Sequence, residues 1–332
     1  MRWTSFIGRR VWMPVVFGVG MGMGMAVAQT PAPTRLYVSN EKDNQIVVLD
    51  AQGQNLARIP VCARPRDMQF SADGRRIAVL CGDSNQLGWV DLAQNKLTST
   101  MALGESPEMF ALSPDGKTLY VTSEDDNALM AYDLATRKKL FEVKTGGEPE
   151  GVRVMPDGQY AYVASELSNV VHRIDLGQKK IVNNIKVGNR PRRFSLSPDG
   201  KELWVSNELS ASVSVIDTAT QQVKSTVPFQ IAGLRASDIT PVGLVHSPDG
   251  RSVWVSLGRA NRVAEVDAVR KQVRRTVLVG QRAWGLALNQ SGTALYVANG
   301  LSDDVTWVDT AQGKAVRTVS AGRVPHTVLV RE

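Results

Sequence analysis

Short charged segments recur beside prolines along this chain: Arg64-Pro65-Arg66, Glu105-Ser106-Pro107-Glu108, Glu148-Pro149-Glu150, Arg190-Pro191-Arg192-Arg193 and Arg323-Val324-Pro325-His326. Arg282-Ala283-Trp284 is a proline-free relative. A guanidinium presents a planar fork of N–H donors that fits carboxylates and phosphates. Arg66, Arg192 and Arg282 are therefore the expected donors to an anionic or mixed-charge ligand, with Trp284 as an apolar wall. Arg64, Glu108, Glu150 and His326 complete the set. The alternative is that long polar side chains simply flank proline turns on a solvated rim.

Other chemistry is sparsely provided for. The three histidines, His172, His246 and His326, fall in different segments, which argues against a paired histidine metal site. Gly-x-Ser-x-Gly, His-Glu-x-x-His and phosphate-loop patterns do not occur. Glu124-Asp125-Asp126 and Asp303-Asp304 carry oxygen ligands suited to calcium, but acidic pairs of this kind are ordinary in solvated turns. Without Cys-x-x-Cys-His there is no sign of covalent haem. No metal and no cofactor are expected. The formal charge is +7, and leaving out Arg2, Arg9 and Arg10 brings it to 36 basic against 32 acidic residues, or +4. So mild a charge, without basic blocks, argues against a nucleic-acid partner.

The elements that must hold these residues come from a repeat. Leu36-Tyr-Val-Ser-Asn40, Ile77-Ala-Val-Leu-Cys81, Leu119-Tyr-Val-Thr-Ser123, Ala161-Tyr-Val-Ala-Ser165, Leu203-Trp-Val-Ser-Asn207, Val253-Trp-Val-Ser-Leu257 and Leu295-Tyr-Val-Ala-Asn299 start 41, 42, 42, 42, 50 and 42 residues apart. An aspartate closes the next alternating strand each time: Asp50, Asp91, Asp133, Asp175, Asp217, Asp267 and Asp309. Asp-Gly pairs precede, from Asp73-Gly74 to Asp249-Gly250, with Ser291-Gly292 as a degenerate copy. Asp-Gly between β runs predicts a tight hairpin, because glycine accepts positive φ. The strand-ending aspartates suit the first position of a type I turn.

Each unit then reads as four strands. Strand A runs from the proline segment to Asp-Gly, B is the Tyr-Val strand, C ends at the aspartate, and D leads to the next unit. Four strands in about 42 residues is the period of a propeller blade. The first unit lacks a strand A, and Pro325-His-Thr-Val-Leu-Val330 is a strand A without a blade. The expected fold is therefore all-β: a seven-bladed β-propeller closed by the C-terminal strand joining the N-terminal blade. The once-per-blade Tyr or Trp of strand B should pack between blades.

Arg2, Arg9 and Arg10, the apolar run from Val11 to Val27 and Ala26-Val27-Ala28 form an export signal, residues 1–28, with Gln29 as first mature residue. The run is shorter than a membrane-spanning helix, about 20 residues, and contains Pro14 and several glycines. Cleavage is expected, with an uncleaved anchor as the alternative. Arg9-Arg10 leaves Sec and twin-arginine export both open. The propeller, 29–332, is expected in a bacterial periplasm with no stable membrane insertion.

This topology puts the D–A and B–C loops on one face and the Asp-Gly turns on the other. The unit with the 50-residue step carries its extra length from Phe229 to Thr240. Phe229, Ile231 and Leu234 are apolar residues expected in a surface loop there, and Arg235 and Asp238 are candidate binding residues. A neutral insertion is the alternative. Cys62 and Cys81 map to the same face of neighbouring blades. That geometry permits a disulfide, with two separate buried thiols as the alternative.

The repeat, Tyr-Val-Ser-Asn, then Val-Ser-Val-Ile-Asp, then Ser-Pro-Asp-Gly-Lys, resembles the YVTN-type β-propeller family over the whole mature chain. Tyr37-Val-Ser-Asn-Glu-Lys-Asp-Asn44, the Phe229–Thr240 insert, Gly258-Arg-Ala-Asn-Arg-Val-Ala-Glu-Val-Asp267 and Val279-Gly-Gln-Arg-Ala-Trp284 are similar to the PQQ-dependent catabolism-associated β-propeller proteins. That resemblance implies an exported protein encoded near quinone-dependent alcohol oxidation and an ABC transporter. These motifs do not establish the biochemical role. With the catalytic patterns so sparse, the expected role is a non-catalytic binding or scaffold protein, and the resemblance points to a periplasmic quinoprotein dehydrogenase or an ABC-transport component as partner. A propeller enzyme of lactonase or hydrolase type, or an oxidoreductase subunit with a site at the channel mouth, is the second reading. Oligomeric state is left open.

Overall fold

The computed structural model describes Met1, Trp3, Gly8 and residues 34–332. The export signal read over residues 1–28 otherwise lies outside the described residues. Among them, no helix is long and apolar enough to cross a membrane.

The chain forms seven four-stranded antiparallel sheets, the blades of a propeller. Six are consecutive in sequence. Blade 1 takes its strands B, C and D from Arg35–Asn40, Gln45–Asp50 and Asn55–Pro60. Its strand A is Pro325–Arg331, which pairs with Arg35–Asn40 and closes the ring. The strands A of blades 2 to 7 are Pro65–Phe70, Pro107–Leu112, Pro149–Val154, Pro191–Leu196, Pro241–His246 and Ala283–Leu288. Neighbouring strands A pack against one another around the axis.

The turns form for the reasons the sequence suggests. The N–H of Gly74, at φ 63°, donates to the Ser71 carbonyl, and Asp73 accepts from Arg75 N–H. Asp91 Oδ1 accepts from the N–H groups of Ala93 and Gln94. Each blade has two apolar faces that it cannot bury alone. Accordingly there are seven apolar clusters, one at each blade–blade interface. The strand B aromatics Tyr37, Tyr120, Tyr162, Trp204, Trp254 and Tyr296 are all buried in them.

One device recurs on the loop face. The B–C turn residue Asn44 has φ 52°, and its Oδ1 accepts from the N–H of Arg64 in the following D–A loop. Asn85, Asn127, Asn169, Asn261 and Asp303 do the same for Ser106, Glu148, Arg190, Arg282 and Val324. Asn and Asp tolerate left-handed backbone and bond neighbouring main chain, which suits them to the post. In blade 5 the position is Ala211, without a side-chain acceptor. The D–A loop that follows is the one carrying the insert.

Candidate functional site

Every strand A is irregular at its second and third residues. In blade 2, Pro65 pairs with Cys81 and Met68 with Val79, so Arg66 and Asp67 together face Leu80. The same slip occurs in the other inner strands. A bulge sets two residues against one and re-aims their side chains. The re-aimed second residues are Arg66, Glu108, Glu150, Arg192, Val242, Trp284 and His326 in blade order 2 to 7, then 1.

Strand B hydroxyls hold these bulges. Ser256 Oγ accepts the Gly243 N–H at 2.8 Å and donates to the Trp284 carbonyl of the next blade at 2.7 Å. Ser39, Thr122 and Ser206 make the equivalent pairs of bonds. The third bulge residue is glycine in blades 4, 6 and 7. A Cβ at Gly151, Gly243 or Gly285 would collide with the carbonyl of Arg192, Trp284 or His326 in the adjoining blade. Serine in Tyr-Val-Ser-Asn was visible as a repeat residue, but its link to a bulge was not.

The presence of both arginines and glutamates at these positions has a structural cause. Arg66 Nη1 pairs with Glu108 of the neighbouring blade, and Arg192 Nη2 lies 3.0 Å from Glu150 of its neighbour. Arg192 also lies 2.5 Å from Glu166 and 3.3 Å from Glu208. All are buried. A buried charge left unpaired is costly, so these residues satisfy one another. Burial opposes ionisation of Glu150, yet Arg192, Arg66 and Arg193 overcome it and hold the carboxyl down at about 2. Burial pushes Glu166 up to about 8, with Arg192 opposing and Glu150 adding to the rise.

His326 sits at the centre of this network and is buried. Its Nε2 receives Arg193 Nη2 at 2.8 Å and Arg66 Nε at 3.4 Å. Burial, then the charges of Arg193 and Arg66, hold its pKa well below the usual value, so the ring is neutral and Nε2 is the acceptor. Arg193 is brought down to about 10, by burial above all.

Above the network lies a cavity of about 370 Å³. Arg64, Arg66, Arg190, Arg192, Arg259 and Arg282 line it, with Glu41 and Glu208 as its acids and His326 at its edge. Trp284, Leu301, Val324 and Pro325 supply apolar surface. The guanidinium of Arg282 stands 4.9 Å from the Trp284 ring centre. Burial lowers its pKa, Glu208 opposes, and the like charges of Arg259, Arg192 and Arg190 add to the lowering. Of the lining residues, Trp284 and Arg192 carry buried donors, Nε1 and Nε, without a hydrogen-bond acceptor among the described residues; the orphaned Arg193 Nε and Glu150 Oε1 belong to residues outside the lining. Surplus donors and surplus positive charge are what an anion would satisfy.

The candidates thus separate. Arg64, Arg66, Arg192, Arg282, Trp284 and His326 meet at the cavity; Glu108 and Glu150 lie in the ion pairs beneath it. The solvated rim does not describe Arg66, Glu108, Glu150, Arg192 and His326, which are buried. Arg282 is half-buried against Trp284. Arg235 and Asp238 are brought to neither place: they form an exposed pair with each other at 2.9 Å within the insert. Phe229 is also not a surface residue. It is 3% exposed, and with Ile239 it anchors the insert in the cluster between blades 5 and 6. Glu41, Arg190, Glu208 and Arg259 line the cavity unforeseen, because B–C and D–A loops of different blades meet only in the ring. Cys62 and Cys81 are bonded to each other, with Cα atoms 5.7 Å apart; Cys62 lies in the D–A loop just past strand D. No cluster of three or more metal-ligating side chains occurs among the described residues.

Comparisons with known proteins agree with this architecture. The chain is similar in fold to hydrazine synthase of Kuenenia stuttgartiensis, with TM-score 0.75, 22% identity, and coverage of 87% of this chain and 99% of that one. A functionally unknown protein from Desulfotomaculum acetoxidans gives TM-score 0.75, 16% identity, and coverage of 89% and 98%. The dihydro-heme d1 dehydrogenase NirN gives TM-score 0.68, 14% identity, and coverage of 89% and 74%. At such identities the likeness is one of fold. No curated protein matches the chain. A family model described as YNCE-like beta-propeller matches residues 99–290, more than half of the sequence, and the chain belongs to that family.

Proposed function

We propose that this is an exported, non-catalytic binding protein whose channel mouth takes a small anionic ligand. The observation that carries the reading is Arg282, a half-buried guanidinium over Trp284 with no carboxylate within 4.0 Å among the described residues. The buried acids Glu108, Glu150, Glu166 and Glu208 each lie within 4.0 Å of an arginine. Glu150, whose Oε1 has no hydrogen-bond donor among the described residues, does not line the cavity, and the Nε2 of His326 is occupied by two guanidinium donors. A general base needs a free lone pair within reach of substrate, so this set suits holding better than turnover. The resemblance of the Tyr37–Asn44 and Val279–Trp284 segments supports a place in the periplasm beside PQQ-dependent alcohol oxidation. A quinoprotein dehydrogenase or an ABC-transport component would then be the partner.

The test is calorimetric titration of the purified protein with small organic anions and with neutral and cationic analogues of the same size. Anions should bind, and Arg282→Ala should weaken them at least tenfold. Arg235→Ala, Lys117→Ala and Lys201→Ala, all away from the cavity, should leave binding intact. Hydrolysis of lactones on addition of a divalent metal, abolished by His326→Ala, would replace this reading with an enzymatic one.

A further inference from the structure

Six arginines and two glutamates line the mouth cavity, but the arginines are not equivalent. Arg64 has Glu41 and Asp83 at 3.6 Å, and Arg66 has Glu108. Arg190 has Glu166 at 2.6 Å and Glu208 at 3.2 Å, and Arg192 has Glu150 at 3.0 Å. Each of these four is compensated inside the protein. Arg259 and Arg282 are not: among the described residues neither has a carboxylate within 4.0 Å. Arg259 is exposed at the tip of its B–C loop, while Arg282 is fixed over Trp284. Their main chains meet through Asn261, the residue two beyond Arg259, whose Oδ1 accepts the Arg282 N–H at 2.9 Å.

From this charge inventory we infer that the ligand of the mouth is a small dianion, one negative charge for each of Arg259 and Arg282. The inference rests on the anion-binding reading above and narrows it. The cavity lining also includes Leu301, Val324 and Pro325, a surface for a short carbon skeleton. A cavity of about 370 Å³ is near the lower end of the ligand-pocket range of roughly 300–1,000 Å³. The shared chemistry is two negative charges on a small body, carried by a dicarboxylate or by a phosphate group. Arg282 is partly desolvated, where charges interact more strongly than in water, and holds the first charge; a monoanion would leave the exposed Arg259 without a partner and forgo its attraction.

The experiment is calorimetric titration with succinate, with succinamate as its singly charged isostere, and with inorganic phosphate at pH 8. Succinate or phosphate should bind at least tenfold more tightly than succinamate. Arg259→Ala and Arg282→Ala should each erase that preference. Arg259→Ala lies at an exposed site and should fold normally. Arg282→Lys keeps the charge if Arg282→Ala is unstable, and should retain the preference. Tighter binding of succinate assigns separated carboxylates to the site; tighter binding of phosphate assigns a phosphate group. Binding of succinamate as tightly as both succinate and phosphate by the unaltered protein overturns the dianion inference and leaves the anion site standing. Binding of none of the three by a folded protein overturns the anion site itself.

Discussion

Arg193 of blade 5 donates from Nη2 to Nε2 of His326 in blade 1, at 2.8 Å. Blades 1 and 5 are not neighbours in the ring. The bond therefore spans the channel and joins the last strand of the chain to a strand well over a hundred residues earlier. Arg66 of blade 2 approaches the same nitrogen at 3.4 Å. The channel beneath the mouth is thus crossed by polar side chains tied to one another.

This link should matter through the arginines it satisfies. His326→Gln retains an acceptor, whereas His326→Leu leaves the buried Arg193 donor without one. The leucine variant should lose about 1–3 kcal/mol, the cost of an unsatisfied buried group, and the glutamine variant clearly less. Urea unfolding of the two variants beside the parent checks the order. Equal loss in both would assign the effect to packing.

Ser256 offers a test of the bulge. Its hydroxyl accepts from Gly243 N–H and donates to the Trp284 carbonyl of the next blade. Ser256→Ala deletes both bonds in a buried position and should cost about 1–3 kcal/mol. Because Trp284 is fixed by that carbonyl, anion affinity at the mouth should fall as well. Ser214→Ala removes a buried hydroxyl bonded to Asn207 and should leave affinity unchanged.

Asp67 gives the protein a distinctive pH dependence. Burial raises its pKa to about 6, against Arg193 and the N–H groups of Phe110 and Met68. The folded state then holds the proton more tightly than the unfolded chain, whose value is 3.8. Between those values the folded state binds more protons, so this residue's contribution to stability falls as pH rises. The loss across the window is about 3 kcal/mol. Asp67→Asn should remove it, so that the parent loses stability relative to the variant between pH 4 and pH 7. Parallel pH profiles in urea unfolding would refute the assignment.

The bond between Cys62 and Cys81 links the D–A loop after blade 1 to strand B of blade 2 and closes a loop of sequence separation 19. Cys62→Ser with Cys81→Ser should destabilise the protein by about 3 kcal/mol in the chain-entropy model. Mass spectrometry of the unreduced protein should show the two cysteines linked in one species, with no free thiol.

The sequence by itself determined the architecture. Period, turn chemistry and the unmatched strands at the two ends each depend on local residue types, and all agreed on one ring. The positions of Arg66, Glu108, Glu150, Arg192 and His326 just inside strand A were legible for the same reason, because a proline marks where each of those inner strands begins; Trp284 was placed by the repeat alone. Only the tertiary structure decided what those residues do. Arg66 and Glu108 are 42 residues apart, and Arg193 and His326 are 133 apart. Whether such side chains pair, or are left over for a ligand, depends on the bulge that turns them inward and on the radius at which the ring closes. Arg235 resembled Arg282 in sequence, a lone arginine in a D–A loop. In the folded ring Arg282 is half-buried over Trp284 at the cavity, and Arg235 is exposed in the insert, paired with Asp238.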